Sequence, residues 1–361
     1  MMNRSMKDSG VEWIGDIPEY WNIVRVKRLF TYKKEKVGVK SEDYERLSLT
    51  LKGVLKRPKN DSEGLQPEKF SGYQIIEYND LVFKLIDLEN ISTSRVGLSN
   101  FTGIVSPAYL RLICSDDVDS KFGYYFFISM WYQNIFNGLG GDGVRSNLNS
   151  SDLLNLSFVD VPKSEQQKIA AFLDEKVAHI DNIIEETKKS IENLKAYKQS
   201  LITETVTKGL NPNVEMKDSG IDWIGDIPKY WKIYKIGQIF KEHKEKNEGL
   251  IEDNLLSLSY GKVKRRDIKS KEGLLPQSFE GYNIIKPGDI VLRMTDLQND
   301  QKSLRVGLCK EKGIITSAYI SIRAYNNIYP HYAYYYLHSF DIYKGFYGMG
   351  LEFVKVSTSM N

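Results

Sequence analysis

Met6 to Trp21 reads MKDSGVEWIGDIPEYW, and Met216 to Trp231 reads MKDSGIDWIGDIPKYW. Thirteen of the sixteen positions are identical, and the three differences are Val/Ile, Glu/Asp and Glu/Lys. The two stretches lie 210 residues apart. The repeat continues at lower identity. Glu63 to Asn90 (EGLQPEKFSGYQIIEYNDLVFKLIDLEN) aligns with Glu272 to Asn299 (EGLLPQSFEGYNIIKPGDIVLRMTDLQN) at an offset of 209. Arg95-Val96-Gly97-Leu98 matches Arg305-Val306-Gly307-Leu308, and Tyr124-Tyr125 matches Tyr334-Tyr335. A period near 210 is far longer than solenoid or propeller units and predicts a duplicated domain.

Between the copies lies a segment of different character. Pro162 precedes Ser164, and Gln167 follows three residues later in a capping-box pattern. Gly209 and Pro212 close the segment, as expected beyond a helix C-terminus. Within it Leu173, Val177, Ile180, Ile184, Thr187, Ile191, Leu194, Lys198 and Leu201 recur in steps of four and three, a heptad seam. About 45 residues of helix would span roughly 67 Å. Acids and bases nearly balance along it, so the helix is not a basic arm, and its apolar seam needs a partner.

Inside each copy, Tyr73 to Ile76, Leu81 to Leu85 and Ala108 to Ile113 are rich in β-branched and aromatic residues and read as strands. Phe122 to Phe136 reads as helical. The expected fold class is α/β: two duplicated mixed α/β domains separated by a long coiled-coil-forming helix. The expected division is 1–151, 152–210 for the helical segment, and 211–361.

Composition bounds the function. The 361 residues are 27% charged and 41% hydrophobic with a net charge of +3, which excludes a disordered chain and a bulk basic protein. No run approaches a membrane span, and the polar start predicts no signal peptide. Cys114 and Cys309 cannot build a disulfide framework, so the expected compartment is the reducing cytoplasm. The histidines, His179, His243, His331 and His338, lack metal-ligand spacing. A phosphate loop and the Asn-Pro-Pro-aromatic methyltransferase motif are both missing, and the glycine-rich Gly138 to Gly143 lacks the lysine of the former. No catalytic constellation is legible.

Two basic runs occupy similar places. Lys52, Lys56, Arg57 and Lys59 lie in the first copy; Lys262, Lys264, Arg265 and Arg266 lie in the second. Phosphate contacts need such cations, and Arg also reads guanine edges. A solvated surface loop is the other reading. Lys84 and Arg293 recur before the Asp-Leu-x-Asn turns, Asp87 to Asn90 and Asp296 to Asn299, as ligand-facing cations or as strand-end charges. Arg95 and Arg305 sit in a structural context, and Trp13, Trp21, Trp223 and Trp231 read as core anchors. Two related domains and a long helix form a ruler: each domain would read a short half-site on double-stranded DNA. The helix would set a spacing of at most ~20 base pairs.

The chain resembles the specificity (S) subunit of type I restriction–modification systems. The resemblance rests on Gly-x-Ile-Pro-x-x-Trp (Gly15 to Trp21, Gly225 to Trp231), the Ser/Thr-x-Ala-Tyr strands ending at Tyr109 and Tyr319, and VPKSEQQKIA (Val161 to Ala170). That last run is similar to the Pro-x-x-Glu-Gln-x-x-Ile-Ala start of a conserved family helix. The resemblance covers essentially the whole chain. It implies two target-recognition domains on a bipartite DNA site, methyltransferase subunits docked on the helix, and a motor-nuclease subunit joining them. It also implies a non-catalytic chain, with S-adenosylmethionine, ATP and Mg²⁺ held by the partners. The expected partner seam is Leu173, Val177, Ile180, Ile184, Ile191, Leu194 and Leu201. One departure is expected to matter: Asn361 is the counterpart of Ser151, so nothing here matches Asp152 to Leu210 a second time. A truncated, recombined or donor allele, or a fragment, is then one expectation, and self-association through the seam another. A protein scaffold that binds no DNA is a further alternative.

Overall fold

The computed structural model describes residues 5–61, 67–89, 92–139, 147–268, 276–297, 304–325 and 328–348. Of the segments named above, residues 63–66, 90, 140–143, 272–275, 298–299 and 349–361 lie outside these. The chain divides into two units, Met1–Glu185 and Glu186–Asn361. The division falls inside a long helix.

The strands of the first unit are β1 (Met6–Asp8), β2 (Asp16–Pro18), β3 (Asn22–Arg25), β4 (Phe30–Tyr32), β5 (Leu47–Thr50), β6 (Gly53–Lys56), β7 (Gln74–Ile76), β8 (Leu81–Phe83), β9 (Val96–Leu98), β10 (Gly103–Val105), β11 (Leu110–Cys114) and β12 (Ser157–Asp160). Its helices are α1 (Ser120–Tyr132), α2 (Ile135–Leu139), α3 (Ser150–Leu154) and the first half of α4 (Lys163–Lys208). The central sheet runs β4-β11-β8-β9, all antiparallel.

Side-chain alternation builds two cores on this sheet. Leu81 and Phe83 of β8 join Phe30, Phe122, Phe127 and Phe158 in one, and Val82 joins Leu47, Leu49 and Val54 in the other. Phe30 meets Phe127 and Phe158 edge-on, at centroid distances of 5.4 and 5.0 Å. Each fully buried Phe stabilises the fold by roughly 1.5–3 kcal/mol. The Asp119 carboxylate caps α1 by accepting from the Lys121 and Phe122 N–H groups at 3.1 and 3.0 Å. The helix read over 122–136 stops at Tyr132, and Asn134 takes φ +57° before α2 begins.

The second unit contains the rest of α4, then β13 (Met216–Asp218), β14 (Asp226–Pro228), α5 (Ile236–Ile239), β15 (Phe240–Glu242), β16 (Leu256–Ser259), β17 (Lys262–Arg265), β18 (Asn283–Ile285), β19 (Ile290–Leu292), β20 (Val306–Leu308), β21 (Gly313–Ile315), β22 (Ile320–Ala324), α6 (Pro330–Ile342) and α7 (Gly345–Gly348). Its sheet order, β15-β22-β19-β20, repeats the first. Both units are mixed α/β, as the repeat predicts.

One difference between the copies is at a sheet edge. In the first unit β12 pairs with β3, Phe158 opposite Val24. Among the described residues no strand pairs with the matching segment 232–235. Ile233, Tyr234 and Ile236 there are 52%, 54% and 45% exposed, whereas Val26 in the first unit is fully buried.

The four repeated Trp residues are half-buried, and Trp13 and Trp21 pack against the first core. Trp13 packs edge-on against Phe126, and Trp223 against Tyr336. Trp21 Nε1 donates to Glu165 at 3.2 Å, and Trp231 lies against Gly209. Their NH groups and ring faces thus fasten the repeated opening motif to the two ends of α4. Gly209 has φ +81°, the left-handed conformation expected where a helix ends.

The helix start also differs from the reading by residue pattern. It begins at Lys163, and Ser164 makes no side-chain cap. The anchor is Gln166, 1% exposed. Its amide donates to Val161 O (2.7 Å) and Asp117 O (3.0 Å) and accepts from the Asp119 N–H (2.8 Å). A buried amide with its bonds satisfied fixes a helix more firmly than an exposed hydroxyl. Glu165, beside it, accepts from Tyr20 and Trp21.

Candidate nucleic-acid interface

The basic runs are only partly loops. Each lies on the second strand of a two-stranded hairpin, β5–β6 or β16–β17, and runs on past it. The register is also one residue different from simple juxtaposition of the runs. Leu47 pairs with Lys56 and Leu256 with Arg265, so the structural offset is 209. Lys56 therefore matches Arg265, and Arg57 matches Arg266. Lys262 matches Gly53, and Lys264 matches Leu55. Lys52 sits in the turn of the first hairpin instead.

A glycine lets each hairpin pack closely on its sheet. A Cβ on Gly97 would lie 2.5 Å from Leu49 Cδ1 and 2.8 Å from Val54 Cγ2; one on Gly307 would lie 2.4 Å from Leu258 Cδ1. A larger residue would force these side chains to shift. That is the physical content of the repeated Arg-Val-Gly-Leu.

The cations differ sharply in what already holds them. Arg57 meets Asp61 at 2.5 Å. Lys59 donates to Ser41 O at 2.7 Å and pairs with Glu42 at 3.0 Å. Lys56 is 4.0 Å from Glu45 and lies over the Phe101 ring. Arg265 pairs with Glu311 at 2.5 Å. Arg266 is half-buried, its N–H donating to Leu255 O. Lys52, Lys262 and Lys264 are exposed, with no carboxylate within ion-pair distance among the described residues.

Lys84 and Arg293 belong to a second feature. Each is half-buried at the start of a turn closed by a buried arginine. Arg95 donates to Ile86 O at 3.3 Å and Asp87 O at 2.6 Å. Arg305 donates to Arg293 O, Thr295 O and Asp296 O at 3.1, 2.6 and 3.1 Å. Asp87 and Asp296 both take left-handed backbone angles, φ +54° and +57°. Lys84 Nζ donates to Thr93 at 3.0 Å. Burial, and then the charge of Arg95, hold its amine below the ordinary lysine range. An arriving anion would relieve that strain.

A third feature escapes the pattern reading. Arg111, fully buried, reaches Asp80 at 2.6 Å and Glu77 at 3.2 Å. In the second unit Ser321 stands at its place and Arg323 reaches Asp289 at 2.6 Å. The signal was available: two residues along a strand return to the same face.

The seam of α4 is exposed along its middle. Val177, Ile180, Ile184, Ile191, Leu194 and Leu201 are 40–62% exposed, and Ile183 and Tyr197 beside them are similarly open. Leu173, by contrast, is half-buried against its own unit, where Asp174 accepts from Lys121 and Tyr125 at 2.6 and 2.8 Å.

Burial pushes the thiols of Cys114 and Cys309 up to about 12 and about 11, so both stay protonated and inert as nucleophiles at neutral pH. No group of metal ligands occurs among the described residues. No helix among them is long and apolar enough to cross a membrane.

Comparison with known proteins places this architecture. Residues 18–193 match the type I restriction modification DNA specificity domain. The specificity subunit of the type I restriction enzyme MjaVIII from Methanocaldococcus jannaschii is 22% identical over 293 residues, 77% of this chain. That match spans 64% of the relative, less than two thirds of its length. The HsdS subunit from Thermoanaerobacter tengcongensis shares the fold with a TM-score of 0.53 at 12% identity, over 93% of this chain and 82% of that one. A chain from a structure of type I R-M complex assembly and conformational transition gives a TM-score of 0.56, also at 12% identity, over 90% and 80%. Residues 18–193, just under half of the chain, thus carry the likeness to that specificity domain, and the repeated α/β units with the long helix share the fold of the HsdS structures.

Proposed function

We propose that this chain is the sequence-specific DNA-recognition subunit of a type I restriction–modification complex. Each unit reads one part of a bipartite, asymmetric site on double-stranded DNA, and α4 sets the spacing. The observation that carries this reading is the duplication: one frame, with Asp80/Asp289, Arg95/Arg305 and Gly97/Gly307 in matching places, occurs twice in the chain. A duplicated frame with diverged surfaces suits two half-sites of different sequence.

Candidate DNA contacts are Lys52, Lys56, Arg57, Lys59 and Lys84 in the first unit and Lys262, Lys264, Arg265, Arg266 and Arg293 in the second. The exposed seam of α4 is the proposed docking face for methyltransferase subunits, with a motor-nuclease subunit joining them. The chain itself is non-catalytic and cytoplasmic; S-adenosylmethionine, ATP and Mg²⁺ chemistry belongs to those partners. Self-association through the seam is the competing use of the same face.

A domain exchange tests the half-site division. Residues 211–348 would be replaced by the matching segment of a different specificity subunit, and the chain co-expressed with its methyltransferase. The methylated motif should change in one half and keep the other. A motif changed in both halves, or in neither, contradicts the division.

A further inference from the structure

The two hairpins agree on the side that faces the protein and disagree on the side that faces outward. Leu47, Leu49 and Val54 are matched by Leu256, Leu258 and Val263, all packed inward. Strand alternation puts the remaining cross-strand pairs on the opposite face. In the second unit these are Ser257 opposite Lys264 and Ser259 opposite Lys262. In the first they are Ser48 opposite Leu55 and Thr50 opposite Gly53.

The turns differ too. Tyr260 and Gly261 both have positive φ, +48° and +72°, which makes a tight two-residue turn with Tyr260 82% exposed at its tip. The first turn is Leu51-Lys52 followed by Gly53 at φ +95°, with Leu51 60% exposed. One glycine shifted by one place thus moves a lysine from the strand face into the turn.

We propose that the outward face of β16–β17, carried by Lys262 and Lys264, is a phosphate-contacting strip, and that the matching face of β5–β6 is an apolar head built on Leu51 and Leu55. This rests on the DNA-recognition reading above and deepens it. Three observations support it. Lys262 and Lys264 point the same way from one strand and have no carboxylate partner among the described residues. The neighbouring cations Arg265, Arg57 and Lys59 are already held by Glu311, Asp61 and Glu42, so a phosphate must displace a carboxylate to reach them. Gly307 leaves room for Leu258 and Val263 to pack directly onto its strand, which seats the strip closely on the sheet. Leu55, 40% exposed in the position of Lys264, offers contact of the kind that meets thymine methyl groups instead. The duplicated frame then divides labour: the second unit supplies more of the salt-sensitive affinity, the first more of the apolar contact.

The test is the salt dependence of binding by the full chain, followed by fluorescence anisotropy with a labelled random-sequence duplex at rising KCl. Each lysine–phosphate contact contributes about 0.9 to the slope of log K against log salt. Lys262→Ala with Lys264→Ala should lower the slope by about 1.8. Leu55→Lys, at an exposed position, should raise it by about 0.9. Unfolding temperatures of all variants should match the parent. A double variant that keeps the parent slope overturns the strip while DNA recognition stands. A parent chain that binds no duplex overturns both. A Leu55→Lys variant without a steeper slope removes the first hairpin from the DNA.

Discussion

An Arg111→Ser chain is expected to lose about 3–5 kcal/mol of stability in its first unit, the range for breaking a buried ion pair on one side. For a unit of this size the transition should fall by roughly 6–20 °C in calorimetry of the full chain. Arg111 is fully buried and also donates to Ile75 O at 3.0 Å. Burial is the larger influence on Asp80 and pushes its carboxyl above the ordinary range even with Arg111 alongside. Without the guanidinium, desolvation of that carboxylate is unopposed. The second unit supplies the rescue. There the strand carries Ser321 and Arg323, and Arg323 donates to both Asp289 oxygens at 2.6 and 2.8 Å. Adding Ile113→Arg to Arg111→Ser should therefore restore most of the loss. An unchanged melting point in the single variant would mean that the pair does not hold the sheet. Failure of the double variant to recover would mean that the two arginine placements are not equivalent.

The second large effect concerns α4. Ile184 and Leu194 are 44% and 62% exposed, so Ile184→Glu with Leu194→Glu should leave the unfolding transitions of both units in place. Burying each aliphatic side chain against a partner contributes about 1.5–3 kcal/mol, so the pair should weaken methyltransferase co-purification by about 10²-fold or more. Intact co-purification would remove the seam from the docking face. A parent chain that sediments as a dimer, and a double variant that sediments as a monomer, would assign the seam to self-association.

Much of this was legible in the residues, for identifiable reasons. The repeat and the heptad steps from Leu173 to Leu201 are long periodic signals, and long signals survive local exceptions. The helix at Phe122 showed because its aromatic run from Tyr124 to Tyr132 contains neither Gly nor Pro. The basic runs misled because Gly53 and Gly261 occupy different places in their turns, which shifts the register between copies by one residue. A one-residue slip exchanges inward and outward faces, so residue adjacency alone could not say which lysines are outward. The role of Gln166 was hidden because its partners at Asp117 and Asp119 lie far away in the chain. The Arg95 turn was recognised as structural from its glycine, yet the carbonyls it holds emerge only with the backbone folded around Asp87. Trp13 and Trp223 read as anchors from their size and the Gly and Pro turns beside them, whereas their partners Phe126 and Tyr336 are brought in by α1 and α6 from far along the chain.

The central claim is that this chain selects which DNA is methylated. Genome-wide mapping of methylated bases in the source cells, with the gene intact and with it deleted, tests this directly. Deletion should erase one asymmetric bipartite motif and leave every other motif untouched. An unchanged set of motifs after deletion would contradict it.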